Sequence, residues 1–211
     1  MNTAIIDQIS QKGFDKDKIA REVIKNPELL AELIEGLQSD KAQTRYGCEK
    51  VLRAISEQRP DVLYPYFDSF VKMLDSANSF LKWGAIITIG NLASLDSENK
   101  FEKIYAKYFA PVHGPVMITA ANIIESASKI ALAKPHLREK ITKEILKVNN
   151  AKYQTDECRN VAIGHAIDSL DRYFEQIKNK KPVMDFVRQQ LENTRAPVRK
   201  RAEKFVKKHN V

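Results

Sequence analysis

Glu125 and His165 are the residues of this 211-residue chain whose types and positions most suggest chemistry. Each stands where the helical pattern around it asks for an apolar side chain. A carboxylate facing an imidazole is a minimal unit for passing a proton. Burying a lone carboxylate is costly, so the two are expected to meet inside the fold, directly or through one water, as a buried polar pair. No nucleophile and no set of metal ligands accompanies them. The expectation is therefore a structural pair, with acid–base catalysis as the alternative.

Other routes to catalysis find no support. The chain has no glycine-rich phosphate loop, no His-Glu-x-x-His and no Gly-x-Ser-x-Gly. His113, His136 and His209 lie near expected turns or the carboxyl end and read as surface histidines. The two cysteines, Cys48 and Cys158, are more than 100 residues apart and lack a Cys-x-x-Cys partner, which argues against a disulfide framework or a zinc site. Both are expected to be reduced and buried in the core. No catalytic residue, metal or cofactor is assigned.

Recognition chemistry is better represented. Tyr46, Trp83 and Ile87 offer large apolar surface, Lys50 and Asn160 offer polar contacts, and Lys200, Lys204 and Lys207 concentrate charge. The formal net charge is +8, and its distribution is uneven. Residues 178–211 contain 11 Lys+Arg against Asp185, Glu192 and Glu203, while residues 1–177 balance 24 bases against 24 acids. The basic character belongs to one end, where it fits an acidic partner, a nucleic-acid backbone or simply water.

These residues sit on a repeated framework. Five segments align: Thr44-Arg-Tyr-Gly-Cys48, Leu81-Lys-Trp-Gly-Ala85, Met117-Ile-Thr-Ala-Ala121, Cys158-Arg-Asn-Val-Ala162 and Val198-Arg-Lys-Arg-Ala202, starting 37, 36, 41 and 40 residues apart. Four carry a base at the second place, and all end on a small residue that lets helices approach. A shorter amphipathic stretch precedes each, for example Leu30, Leu33, Ile34 and Leu37, or Phe67, Phe70, Val71 and Leu74. Prolines 60, 111, 115, 135, 182 and 197 fall at the expected joints or first turns. Strands are not expected, since β-branched alternation is scarce.

The Val-Arg-x-x-Ala pattern, best at Val198–Ala202 and Leu81–Ala85, resembles the HEAT-repeat, armadillo-like family of α-solenoids. The resemblance implies an all-α right-handed superhelix of about five helix pairs, with residues 1–26 as amino-terminal capping helices and 27–211 as one continuous solenoid. It also implies an open face made by the second helices. With the basic place as zero, places +1, +5 and +8 should line that face: Tyr46, Lys50 and Arg53; Trp83, Ile87 and Gly90; Thr119, Ile123 and Ser126; Asn160, Gly164 and Ile167; Lys200, Lys204 and Lys207. Trp83 and Ile87 either anchor a partner there or pack beneath a neighbouring helix. The turn holding residues 148–157 is about five residues longer than its counterparts, either projecting as a contact loop or adding length without effect.

The expected function is a monomeric, cytoplasmic, non-catalytic scaffold for a protein or peptide. The alternative is a nucleic-acid-binding protein akin in architecture to the HEAT-like alkylpurine DNA glycosylases. The middle of the expected open face lacks the basic track those enzymes have. No apolar run is long enough to span a membrane.

Overall fold

The computed structural model describes residues 4–210. Among them the regular elements are all helical, and no helix is long and apolar enough to cross a membrane. After α1 (Ala4–Ile9) and α2 (Lys16–Lys25) come α3 (Leu30–Gly36), α4 (Ala42–Gln58), the short α5 (Pro60–Leu63), α6 (Phe67–Met73) and α7 (Ser79–Leu92). Then follow α8 (Lys100–Phe109), α9 (Met117–Ala133), α10 (Arg138–Leu146), α11 (Asp156–Asp171), α12 (Lys181–Gln189) and α13 (Ala196–His209). The five long second helices are α4, α7, α9, α11 and α13, each preceded by a shorter partner. The chain is thus an all-α helical repeat, and it divides into two compact units, Met1–Lys100 and Phe101–Val211.

In the first unit, Asp15 caps α2 by accepting from the Asp17 and Lys18 amides at 2.9 and 3.0 Å. Ile5, Ile9, Ile19 and Val23 are buried against α4, while Ile6 and Ile24 are half-buried. Gly47 permits this approach, because a Cβ there would lie 2.2 Å from Ile9 Cγ2. Cys48 is fully buried, and burial pushes its thiol up to about 12, which makes it inert packing. Arg45 Nη1 donates to the Ser39 and Asp40 carbonyls at 2.7 and 3.5 Å, supplying the turn where α3 has run out of internal donors.

The second unit begins with an aromatic cluster on α8, where Phe101, Tyr105, Tyr108 and Phe109 pack with ring centroids 4.8–6.3 Å apart. α9, α11 and α13 then pack in succession. The long turn before α11 does not project. Tyr153 Oη donates to the Val112 carbonyl at 2.6 Å, Lys152 N to the His113 carbonyl at 3.1 Å, and Ala151 is buried. Gly114 makes this possible: its φ is 107° and a Cβ would sit 2.1 Å from the Lys152 oxygen.

Helix starts correct the repeat register. The residues capping the second helices are Lys41, Asn78, Val116, Thr155 and Arg195, spaced 37, 38, 39 and 40 residues apart. The sequence segments begin three residues after the cap in four repeats but only one after it in the third. Shifting the third by two puts Thr119, Ile123, Ser126, Ala127 and Ile130 in the core places, and all five are buried. Glu125 then falls at +5 beside Lys50, Ile87 and Lys204. Its side chain is 57% exposed and lies 3.9 Å from Arg172, so Glu125 is not the buried carboxylate expected. His165 itself is half-buried. Thr119, Ile123 and Ser126 leave the open face for the same reason. Place +8 is also closed at Gly90 and Ile167, and Gly164 is covered by the Arg201 side chain.

Two further expectations change. Cys158 is half-buried, because it lies in the first turn of α11, where its amide donates to the Thr155 hydroxyl at 3.1 Å. His209 is no surface histidine: its side chain is 4% exposed, between Phe174 and Phe205 at 4.5 Å from each ring. Its Nε2 lies 2.7 Å from Asp171 and its Nδ1 2.8 Å from Glu175. Burial pushes the Asp171 carboxyl up, but hydrogen bonds from Lys208 and His209 outweigh it and hold the group below its ordinary value. A carboxylate lowered in the folded state contributes stability that is complete above its unfolded value, about 4, and is lost as pH falls below it. Thermal melts should therefore show a shallower decline below about pH 4 for Asp171→Asn than for the unmodified protein. Equal slopes would remove Asp171 from the acid transition.

Candidate functional site

The exposed surface of α4 and α7 carries a cluster of aromatic rings. It is built around Asn78. As the cap of α7, the Asn78 Oδ1 accepts from the Phe80 and Leu81 amides at 3.0 and 3.3 Å, while its Nδ2 donates to Tyr46 Oη at 2.9 Å. One side chain thus starts a helix and ties it to the helix before. The tether sets Tyr46 against Phe80 (centroids 5.5 Å) and Phe80 edge-on to Trp83 (5.3 Å). Phe80 is 61% exposed, whereas Tyr46, Trp83 and Ile87 are half-buried.

Charge frames these rings. The Arg45 guanidinium lies 5.1 Å from the Tyr46 centroid, a cation–π distance. Hydrogen bonding from Asn78, then from Arg45, lowers the Tyr46 hydroxyl below its ordinary value. Because that oxygen already accepts from Asn78, its own proton is left to donate outward. Lys50 is exposed one turn along α4. Glu49 pairs with Arg53 at 3.1 Å and is only 12% exposed, since Gly84 brings α7 down onto it. Burial raises the Glu49 carboxyl, with Arg53 opposing.

Sequence reasoning placed Tyr46, Lys50, Trp83 and Ile87 on this surface and missed Phe80. Phe80 lies two residues before the basic place, outside the aligned segment. The signal available was the Asn78 cap: an aromatic two residues past a cap sits in the first turn, where the neighbouring first helix does not reach.

In the second unit the polar candidates separate. Asn160 is held within the fold, donating to Thr194 Oγ1 at 3.1 Å and accepting from Asn193 Nδ2 at 3.0 Å. Glu125, His165, Asp168, Ser169 and Arg172 line a cleft of about 140 Å³ between α9 and α11. Its groups are largely occupied: Asp168 binds Arg201 at 2.7 Å, Ser169 donates to the Ile124 carbonyl at 2.6 Å, and Arg172 donates to Ser128 at 3.2 Å. Among the described residues, no group of three or more His, Cys, Asp or Glu could hold a metal ion. On α13, Lys200, Lys204 and Lys207 are exposed and, among the described residues, engage no acid.

The sequence matches no protein-family model and no curated protein. Similar solved structures include an engineered protein (TM-score 0.56, 13% identity, 97% of this chain and 86% of that one). They also include two designed armadillo repeat proteins, each 16% identical over 97% of this chain and 91% of theirs. Their TM-scores are 0.53 and 0.54, and the second is in complex with the peptide (KR)4. At these identities the likeness establishes the fold, an armadillo/HEAT-like helical repeat.

The shared role of Asn78 gives a direct check. Asn78→Ala should cost about 1 kcal/mol of stability, as the loss of a cap does, and should raise the accessibility of Trp83 to acrylamide quenching. A variant as stable as the parent, with unchanged quenching, would show that the amide does not organise the rings.

Proposed function

We propose that this chain is a non-catalytic helical-repeat scaffold that binds a protein or peptide segment on the exposed face of its second helices. The observation that carries this reading is the ring set Tyr46, Phe80 and Trp83, fixed by Asn78 yet left open to solvent at Phe80. A pre-ordered aromatic surface loses little conformational freedom on binding and suits the centre of an interface. Ile87 extends the apolar strip, and Lys50 and Arg45 edge it with positive charge. The armadillo/HEAT-like fold supports the reading, since one designed protein of this fold was solved with a peptide bound.

Selection of random 12-residue peptides on the purified protein tests this. Enriched peptides should shift Trp83 emission, and Phe80→Ala or Trp83→Ala should weaken their binding at least tenfold with little dependence on salt, the scale expected at an aromatic hot spot. Binders indifferent to both substitutions would overturn the assignment of this surface.

A further inference from the structure

The basic helix α13 is not uniformly available. Arg195, at its cap, donates to Glu157 at 2.6 Å, Arg201 to Asp168 at 2.7 Å and Lys208 to Asp171 at 2.9 Å. Arg199 Nη1 donates to the Asn193 and Thr194 carbonyls at 2.7 and 3.1 Å, as Arg45 does in the first unit. The acids of α11 and the turn before α13 therefore absorb four of its seven cations. The other three, Lys200, Lys204 and Lys207, are spaced i, i+4, i+7. At about 100° per residue they form one stripe, opposite the buried Val198, Ala202 and Phe205. The stripe is about 10 Å long at 1.5 Å rise per residue. Glu203 flanks it as an exposed acid.

From this pattern we propose that the Lys200–Lys204–Lys207 stripe is a docking surface for an acidic peptide segment presenting about three carboxylates over 10 Å. The inference deepens the peptide-binding reading, on which it rests, by assigning a second contact and its partner's charge. Charge complementarity selects the occupant. With the acids of α11 already engaged, the counter-charges for the stripe must come from outside. An acidic peptide can place carboxylates against the lysines and a neutral or basic residue against Glu203. A nucleic acid fits less well, because its continuous charge would set a phosphate against Glu203. Three lysines would also release few counterions, and no aromatic ring stands among them for bases to stack on. A basic peptide such as (KR)4 would be repelled.

The probes are a labelled 14-residue helical peptide with glutamates at i, i+4 and i+7, the same peptide with glutamines, and a 14-base-pair DNA duplex. Amide chemical shifts and anisotropy are followed at low and moderate salt. The glutamate peptide should perturb the α13 amides, and Lys200→Glu with Lys204→Glu should weaken it at least tenfold. The glutamine peptide should not bind. Both substitutions face away from the core, and a circular-dichroism spectrum of the double variant matching the parent's is the control that the fold is kept. No perturbation of α13 by the glutamate peptide, or binding undiminished in the double variant, would overturn the proposal. Tighter binding of the duplex than of the peptide would also overturn it, reassigning the stripe to nucleic acid. These results do not involve Trp83, so failure here is distinguishable from failure of the aromatic surface.

Discussion

The turn between the two helices of a pair leaves carbonyls and amides that neither helix bonds internally, and the groups that satisfy them fix where the second helix begins. In the first and fifth pairs an arginine in the first turn of the second helix supplies the donors: Arg45 to Ser39 and Asp40, Arg199 to Asn193 and Thr194. The second pair uses the cap residue Asn78 to fix the same junction. The basic place in the repeat is therefore a structural place. What remains for recognition is displaced from it by about one residue or one turn, onto Tyr46, Phe80, Trp83, Lys200 and Lys204.

That dependence explains what could be read from the sequence. Helix class, the number of pairs and the small residues Cys48, Ala85, Ala162 and Ala202 at helix contacts all follow from periodicity, which averages over many residues. The third repeat resisted because Ala120 occupies its basic place and Ile123 its small one, so the alignment slid two residues to Met117 and Ala121. Two residues turn a helix by roughly 200°. The slide was enough to move Glu125 from solvent to an imagined core and Ile123 the other way. Phe80 and His209 were missed for a different reason, since both lie at helix ends, where burial is decided by neighbouring chain rather than by the helix's own pattern.

Charge shows the same separation between composition and placement. The surplus of bases after residue 177 suggested a diffuse positive end, but α11 contributes Glu157, Asp168 and Asp171 in register with Arg195, Arg201 and Lys208. These exposed pairs individually add little stability. Their larger effect is on the field of the unit, which they narrow from seven cations to one ordered stripe.

The folded-back turn before α11 has a consequence for engineering. Long surface turns are ordinarily where a chain accepts insertions, because little else is tied to them. Here residues 151–153 are fastened to the turn at 112–114 by Tyr153, Lys152 and the close passage at Gly114. Lengthening this turn would unfasten one helix pair from the next. A tag, label or grafted loop belongs instead near Ser97 and Glu98, which are exposed, so the long connection before α11 is among the least suitable places to cut or extend the second unit.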